Sequence, residues 1–328
     1  MTHAFAPGPR NGLTDVAGLA VGHADDERLR SGTTAILCDT PAVAAVDVRG
    51  GAPGTRETDL LRAGSLVPGI DALVLSGGSA FGLDAATGVQ AWLREQGRGF
   101  EVRGQHVPIV PGAILFDLAN GGDKAWGRFS PYRDLGYAAA ARAGQDVALG
   151  SVGAGLGATT ATGPGGLGSA SVRLPNGITV AALVAVNAVG SATIGDTARF
   201  WSAPFEIGDE FGGRGLPHPL PVDAMRLRLK GDPAPNANTT LGIVATDAVL
   251  TREDAGRLAI AAHDGYARAL WPAHTDFDGD LVFALATGRS GHAPEPRERL
   301  TMQAAATAAM ARAIARGVHL ARLALGHG

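Results

Sequence analysis

Asn236-Ala237-Asn238-Thr239-Thr240-Leu241-Gly242-Ile243-Val244-Ala245-Thr246-Asp247 is where this chain changes character. A stretch broken by Gly231, Pro233 and Pro235 runs through an Asn-Thr step into an apolar, β-branched segment. Such a segment favours a buried strand, and Asn closing a loop before Thr opening a strand is one complete reading of the step. A second reading is chemical. If the bond between Asn238 and Thr239 were cut, Thr239 would carry a hydroxyl nucleophile and a free amine on one residue. A threonine hydroxyl is weak until a neighbour accepts its proton. An α-amine is roughly a tenth unprotonated at neutral pH, against well under about a thousandth for lysine. Hydroxyl and amine on one residue also meet without an encounter cost.

Composition narrows the possibilities. The chain has 328 residues, of which 45% are hydrophobic, enough for a substantial core. Its net charge of -3 and pI near 6.3 argue against nucleic acid or an anionic membrane as the main partner, leaving small molecules or neutral polymers. Cys38, the only cysteine, lies in the apolar run Ala35-Ile36-Leu37-Cys38 and reads as a buried thiol. No intrachain disulfide is possible, which suits a reducing cytoplasm. The segment from Met1 to Arg10 lacks an apolar signal core, and no stretch reads as a membrane-spanning helix. The expected location is cytoplasmic.

Short apolar runs predict strands over Ala42 to Val48, Ala72 to Leu75, Val107 to Val110, Ile178 to Val186, Leu241 to Ala245 and Leu281 to Ala286. Helical spacing appears in Leu83 to Leu93, in Tyr137 to Ala143, after Thr251, and from Leu300 to Leu325. Thr251 followed by Asp254 resembles a cap. In the last helix Met310, Ile314 and Val318 form one stripe, and Arg312, Arg316 and Arg322 are expected on a solvated face. Phe200 to Pro221 reads as a long loop. Strands and helices mix without a βαβ rhythm, so a layered α+β fold in one domain, residues 1–328, is predicted.

Several clusters are chemically suggestive. In His274-Thr275-Asp276-Phe277-Asp278-Gly279-Asp280 an extended backbone would put Asp276, Asp278 and Asp280 on one face. A calcium loop fits poorly, with glycine fourth instead of sixth and Thr287 in twelfth place, so no metal is expected. Two readings stand: a solvated acidic turn, or Asp278 and Asp280 orienting the hydroxyl and amine of Thr239. Ionised aspartates would raise the amine pKa, burial would lower it, and a pair sharing one proton would soften the conflict. Ser76-Gly77-Gly78-Ser79-Ala80-Phe81-Gly82-Leu83-Asp84 reads as a tight strand-to-helix turn with amides able to bind an anion, but it matches neither G-x-S-x-G nor a Walker loop. Gly150 to Thr159 contains G-x-G-x-G without a following helix, a weak dinucleotide signal. Asn187 closes a buried strand and suits either a capping amide or an oxyanion donor.

Together these segments resemble the DmpA-type aminopeptidase family, the self-cleaving group that includes β-peptidyl aminopeptidases and nylon-oligomer hydrolases. The resemblance covers Asn11-Gly12-Leu13-Thr14-Asp15-Val16 with Val21-Gly22-His23, Arg49-Gly50-Gly51-Ala52-Pro53-Gly54-Thr55-Arg56-Glu57-Thr58-Asp59, Leu75 to Asp84, and Asn238-Thr239-Thr240. It implies a four-layer αββα sandwich of the DmpA and ornithine acetyltransferase type. It also implies self-cleavage between Asn238 and Thr239 into chains 1–238 and 239–328. Thr239 would be the nucleophile, Asn187 the oxyanion-stabilising asparagine, and Asp278 and Asp280 the acidic pair of the nylon-oligomer branch. Threonine with two aspartates leans toward that branch, since the peptidase branches more typically pair a serine nucleophile with serine and glutamate.

Two departures stand out: Pro164 precedes Gly165-Gly166 where members often carry lysine, this chain having only Lys124 and Lys230, and Phe116 occupies the place of an assisting tyrosine. The function expected is amide hydrolysis without a cofactor, on linear amides such as aminohexanoate oligomers. The alternatives are an aminopeptidase or β-peptidase, ornithine-acetyltransferase-like acyl transfer, and an unprocessed scaffold. The resemblance further implies a homotetramer, with no nucleic-acid or membrane partner.

Overall fold

The computed structural model describes residues 5–231 and 238–326. The breaker cluster ahead of the Asn-Thr step lies largely outside the described residues. The main elements are β1 (Leu19–Asp26), β2 (Ser31–Val48), β3 (Ile70–Ser76), α1 (Asp84–Glu95), β4 (Gly112–Ile114), α2 (Tyr132–Ala141), β5 (Gly166–Arg173), β6 (Thr179–Asn187), β7 (Thr239–Thr246), α3 (Arg252–Ala269), β8 (Leu281–Ala286) and α4 (Pro296–Ala324).

Strand β2 organises the sheets. Its Asp39-Thr40-Pro41 step is exposed, and the register against β3 shifts between Leu37 and Ala42. Proline cannot donate to a ladder, so the strand bends there and divides its pairing. Residues before the bend pair with β1 and β3, and Val43 to Val48 pair with β8. The order is β5-β6-β7-β8-β2-β3-β4, with β1 beside β2; β7 with β8 and β3 with β4 are parallel, and the other neighbours in this order are antiparallel.

Period-two alternation then builds three cores. In β6, Ala181, Leu183 and Ala185 join Ile36, Leu73, Ile243 and Phe283 between the two sheets. Val180, Ala182, Val184 and Val186 on the opposite face pack with Tyr266 of α3 and Met310 and Ile314 of α4. Val74 and Ala72 of β3 pack with Val89 and Leu93 of α1 and Tyr132 of α2. Helices, two sheets and helices form four layers, the αββα arrangement anticipated from sequence. Gly168 and Gly317 let β5 and α4 touch: a Cβ on Gly168 would fall 1.9 Å from the carbonyl oxygen of Ala313.

Some expectations are corrected. Val107 to Val110 forms no strand of the main sheets: Gln105–Val107 pairs in an exposed hairpin with Phe100–Val102, and the strand parallel to β3 is Gly112–Ile114. Strands β1 and β5 escaped the pattern because their apolar positions are diluted by Gly, Ala and Ser. The arginine face of α4 is no solvated face. Arg312 is fully buried, binding Glu210 at 2.6 Å and the Ser171 carbonyl at 2.8 Å, and Arg316 also meets Glu210 at 3.7 Å. The segment from Phe200 to Pro221 folds over this face, burying Phe200 and Phe211 edge-to-face at 5.5 Å and bringing in Glu210. Thr251 caps α3 as expected, accepting the Asp254 N–H at 3.1 Å. Cys38 is buried, and burial pushes its thiol up to about 12. Among the described residues no helix is long and apolar enough to cross a membrane.

Candidate active site

Asn187 ends β6 and Thr239 begins β7, and the two are direct partners in the antiparallel ladder. Alternation puts both on the inter-sheet face, in line with Leu183 and Leu241. Thr239 is 3% exposed and Asn238 is fully buried. The Thr239 hydroxyl, Oγ1, lies 2.5 Å from the carbonyl oxygen of Asn238. The same oxygen accepts the Gly279 N–H at 2.7 Å. Asn238 is held in turn by its own N–H on the Phe277 carbonyl at 2.9 Å, an isolated bridge to Asp278. Gly279 has to be glycine: a Cβ there would sit 2.5 Å from Thr239 Oγ1 and 2.7 Å from the Ala52 carbonyl oxygen.

The acidic segment is not the continuous extended strand anticipated. Residues 276 and 277 form a turn, leaving Asp276 exposed and away from the site, while Asp278 and Asp280 are each 1% exposed. Asp278 accepts the Val189 N–H at 3.2 Å and both the N–H and hydroxyl of Thr275, at 3.0 and 2.7 Å. Burial, then the charge of Asp280, raises its pKa above the ordinary value. Asp280 accepts the Thr240 N–H at 2.8 Å and lies 2.9 Å from His274 Nδ1. Among the described residues, neither carboxylate hydrogen-bonds the Thr239 hydroxyl; Asp280 grips the backbone just after it through Thr240, while Asp278 holds Val189 and Thr275.

Asn187 is held at both ends of its amide. Its Oδ1 accepts the Thr159 N–H at 3.0 Å and the Lys230 ammonium at 2.7 Å, and its Nδ2 donates to the Phe116 carbonyl at 3.0 Å. Phe116 thus contributes its backbone here. Lys230 was visible in the sequence only as one of two lysines. It reaches the place from the segment ahead of the Asn-Thr step, and burial pulls its pKa down to about 8 against the opposing pull of Asp117 and Asp278. Lys230, Thr159, Phe116 and Asp117 line an open cavity of about 290 Å3 beside Asn187. A larger polar cavity of about 450 Å3 around Arg226 and Arg228 touches none of these groups.

The other sequence motifs take structural places. The turn after β3 offers no free amide cradle, since the Gly78 N–H donates to Asp117 at 2.7 Å. Gly153–Gly155 is a single 3-10 turn. Among the described residues, no group of three or more His, Cys, Asp or Glu is arranged to hold a metal ion.

The layering defines the class of fold: the αββα sandwich is that of the Ntn hydrolase fold. The solved L-aminopeptidase D-Ala-esterase/amidase of Ochrobactrum anthropi, described as a variant of that fold, superposes with a TM-score of 0.69 at 20% identity, covering 97% of this chain and 88% of that one. The model of peptidase family S58 matches residues 11–327, and the chain belongs to that family. It is an amide-bond hydrolase. An uncharacterised aminopeptidase of Mycobacterium tuberculosis is 45% identical over 327 residues, 94% of this chain and 93% of the relative. A 6-aminohexanoate-oligomer endohydrolase of a Kocuria species is 29% identical over 311 residues, 90% of this chain and 81% of the relative.

Proposed function

We propose that the chain cuts itself between Asn238 and Thr239 and then hydrolyses linear amides with Thr239 as nucleophile. The observation that carries this is the pair of contacts on the Asn238 carbonyl oxygen, from Thr239 Oγ1 at 2.5 Å and from the Gly279 N–H at 2.7 Å. In self-cleavage Oγ1 adds to the Asn238 carbonyl carbon while the Gly279 N–H stabilises the oxyanion. The C–N bond breaks, the hydroxyl proton ends on the departing nitrogen, and water hydrolyses the resulting ester. Thr239 is left with a free amine.

In turnover that amine takes the Oγ1 proton as the hydroxyl attacks the substrate amide, and passes it to the leaving amine. Water then releases the acid from the acyl-enzyme. Asn187 with Lys230 supplies positive, donor-rich surroundings for the oxyanion, and Asp278 with Asp280 sets the charge around the amine. Tetrameric assembly and a cytoplasmic setting belong to the same proposal.

Two substrate classes follow. Threonine with two aspartates supports aminohexanoate-type oligomers, the substrates named for the Kocuria relative. The higher identity to relatives named aminopeptidases supports removal of N-terminal residues from peptides. Hydrolysis of oligomers with free and with acylated amino ends separates them, because an aminopeptidase requires the free amine. N-terminal sequencing tests the reading itself: a second chain beginning Thr-Thr-Leu-Gly is expected, and active protein persisting as one 33.2 kDa species contradicts it.

A further inference from the structure

Behind Asp280 runs a line of side chains that the reaction above leaves unused. Asp280 Oδ2 accepts the backbone N–H of His274 at 3.0 Å and meets the ring Nδ1 of the same residue at 2.9 Å. His274 Nε2 is 3.2 Å from His263 Nδ1, and His263 Nε2 is 3.1 Å from the carbonyl oxygen of Asp47. His263 and Tyr266 are three residues apart on α3, so they share a face, and the Tyr266 ring lies 5.3 Å from His263 and 5.2 Å from His274. His263 is 4% exposed. His274 is held at φ 58, a left-handed conformation that a non-glycine residue adopts at a cost. The line ends at an open cavity of about 650 Å3, bordered by Arg49, Arg257, Asp264 and both histidines.

The protons in this line can be counted. The Asp47 carbonyl only accepts, so His263 Nε2 must carry a proton. Burial, chiefly, lowers His263 to about 4 and leaves it neutral, so its Nδ1 is a lone pair and His274 Nε2 must donate to it. One proton remains for the two facing atoms, His274 Nδ1 and Asp280 Oδ2. Whether it sits on the ring or on the carboxyl, the pair is neutral.

We propose that His274, fixed in one tautomer by His263, holds a proton for Asp280 and so limits the acidic pair beside Thr239 to a single negative charge. His274 is a positioning residue in this scheme; it acts on the Thr239 amine through Asp280. Two ionised aspartates would raise that amine's pKa and weaken it as a base, and a neutral Asp280–His274 pair removes one of them. The other charged or titratable groups around the line are Asp278 on the same loop, Asp47 and Arg49 at the end of β2 and just beyond it, and Tyr266, Arg257, Asp264 and Arg268 on α3. This inference rests on the reading of the Thr239 amine as the base.

The test is the pKa of that amine in the mature protein, read by competitive acetylation with acetic anhydride across pH and mass spectrometry of the peptide beginning at Thr239. His274→Gln keeps an N–H donor toward Asp280 but holds no exchangeable ring proton. The amine pKa is expected to rise by at least about half a unit, roughly a threefold loss of free base at neutral pH. An unchanged pKa in a processed variant overturns the inference, whereas the absence of any chain starting at Thr239 in the wild type overturns the underlying reading instead. Should the variant fail to fold, histidine 15N spectra of the wild type decide. His263 is expected neutral with its proton on Nε2, and a proton on Nδ1 of a neutral His263 breaks the line.

Discussion

The amide of Gly279 donates to the carbonyl oxygen of Asn238 at 2.7 Å, which ties the residue between the two buried aspartates to the Asn238–Thr239 peptide bond. A glycine is demanded there by space, since a Cβ would lie 2.5 Å from Thr239 Oγ1. Gly279→Ala is therefore expected to slow self-cleavage at least tenfold while the chain still folds. A time course on denaturing gels, beginning from freshly made protein, checks this; processing at the wild-type rate removes Gly279 from the reaction.

Lys230 should matter more than its place in the sequence suggests. Replacing it with Met removes a charged hydrogen bond on Asn187 Oδ1, a contact of about 1.5–3 kcal/mol, so kcat is expected to fall about tenfold or more with little change in KM. The pH dependence has a definite sign. Lys230 titrates near 8 in the fold and near 10.4 when unfolded, so between these values the unfolded chain binds more protons and stability rises with pH. Denaturation at pH 8 and pH 10 should show part of this rise lost in Lys230→Met.

Asp278 illustrates a site held at the expense of stability. Its carboxyl is raised by burial and by Asp280, so the folded state takes up its proton more readily than the unfolded one. Stability on its account is full below the ordinary carboxylate pKa and falls as pH rises toward the folded value. Asp278→Asn should thus raise the thermal midpoint at neutral pH while turnover drops. Calorimetry of the variant at pH 4 and pH 7 should find the gain only at the higher pH.

The buried pair of Arg312 and Glu210 makes the opposite prediction. Arg312 also holds Asn11 at 2.8 Å, so it ties α4 to the Phe200–Pro221 segment and the N-terminal turn. Arg312→Met leaves Glu210 with one distant cation and is expected to cost about 3–5 kcal/mol. Urea unfolding measures it, and the double variant with Glu210→Gln should recover part of the loss.

Local sequence carried a good deal of this. The apolar runs Ile178 to Val186 and Leu241 to Ala245 marked the two central strands, the Thr251 cap marked α3, and the Asn-Thr step, the acidic pair and Asn187 were all nameable before any fold was known. These are short-range signals: side-chain period, cap chemistry and residue type within a few positions. What they could not supply was which face of each strand met which layer. Arg312 read as solvated because helical spacing says nothing of a distant loop arriving with a carboxylate. Lys230, Gly279, His263 and His274 gained their meaning the same way, from segments far apart in the chain that meet only when two sheets stack and an outer helix closes over them. The chain alone determined which groups were available for chemistry; tertiary packing decided which of them touch, because distance, burial and shared protons are properties of neighbours in space.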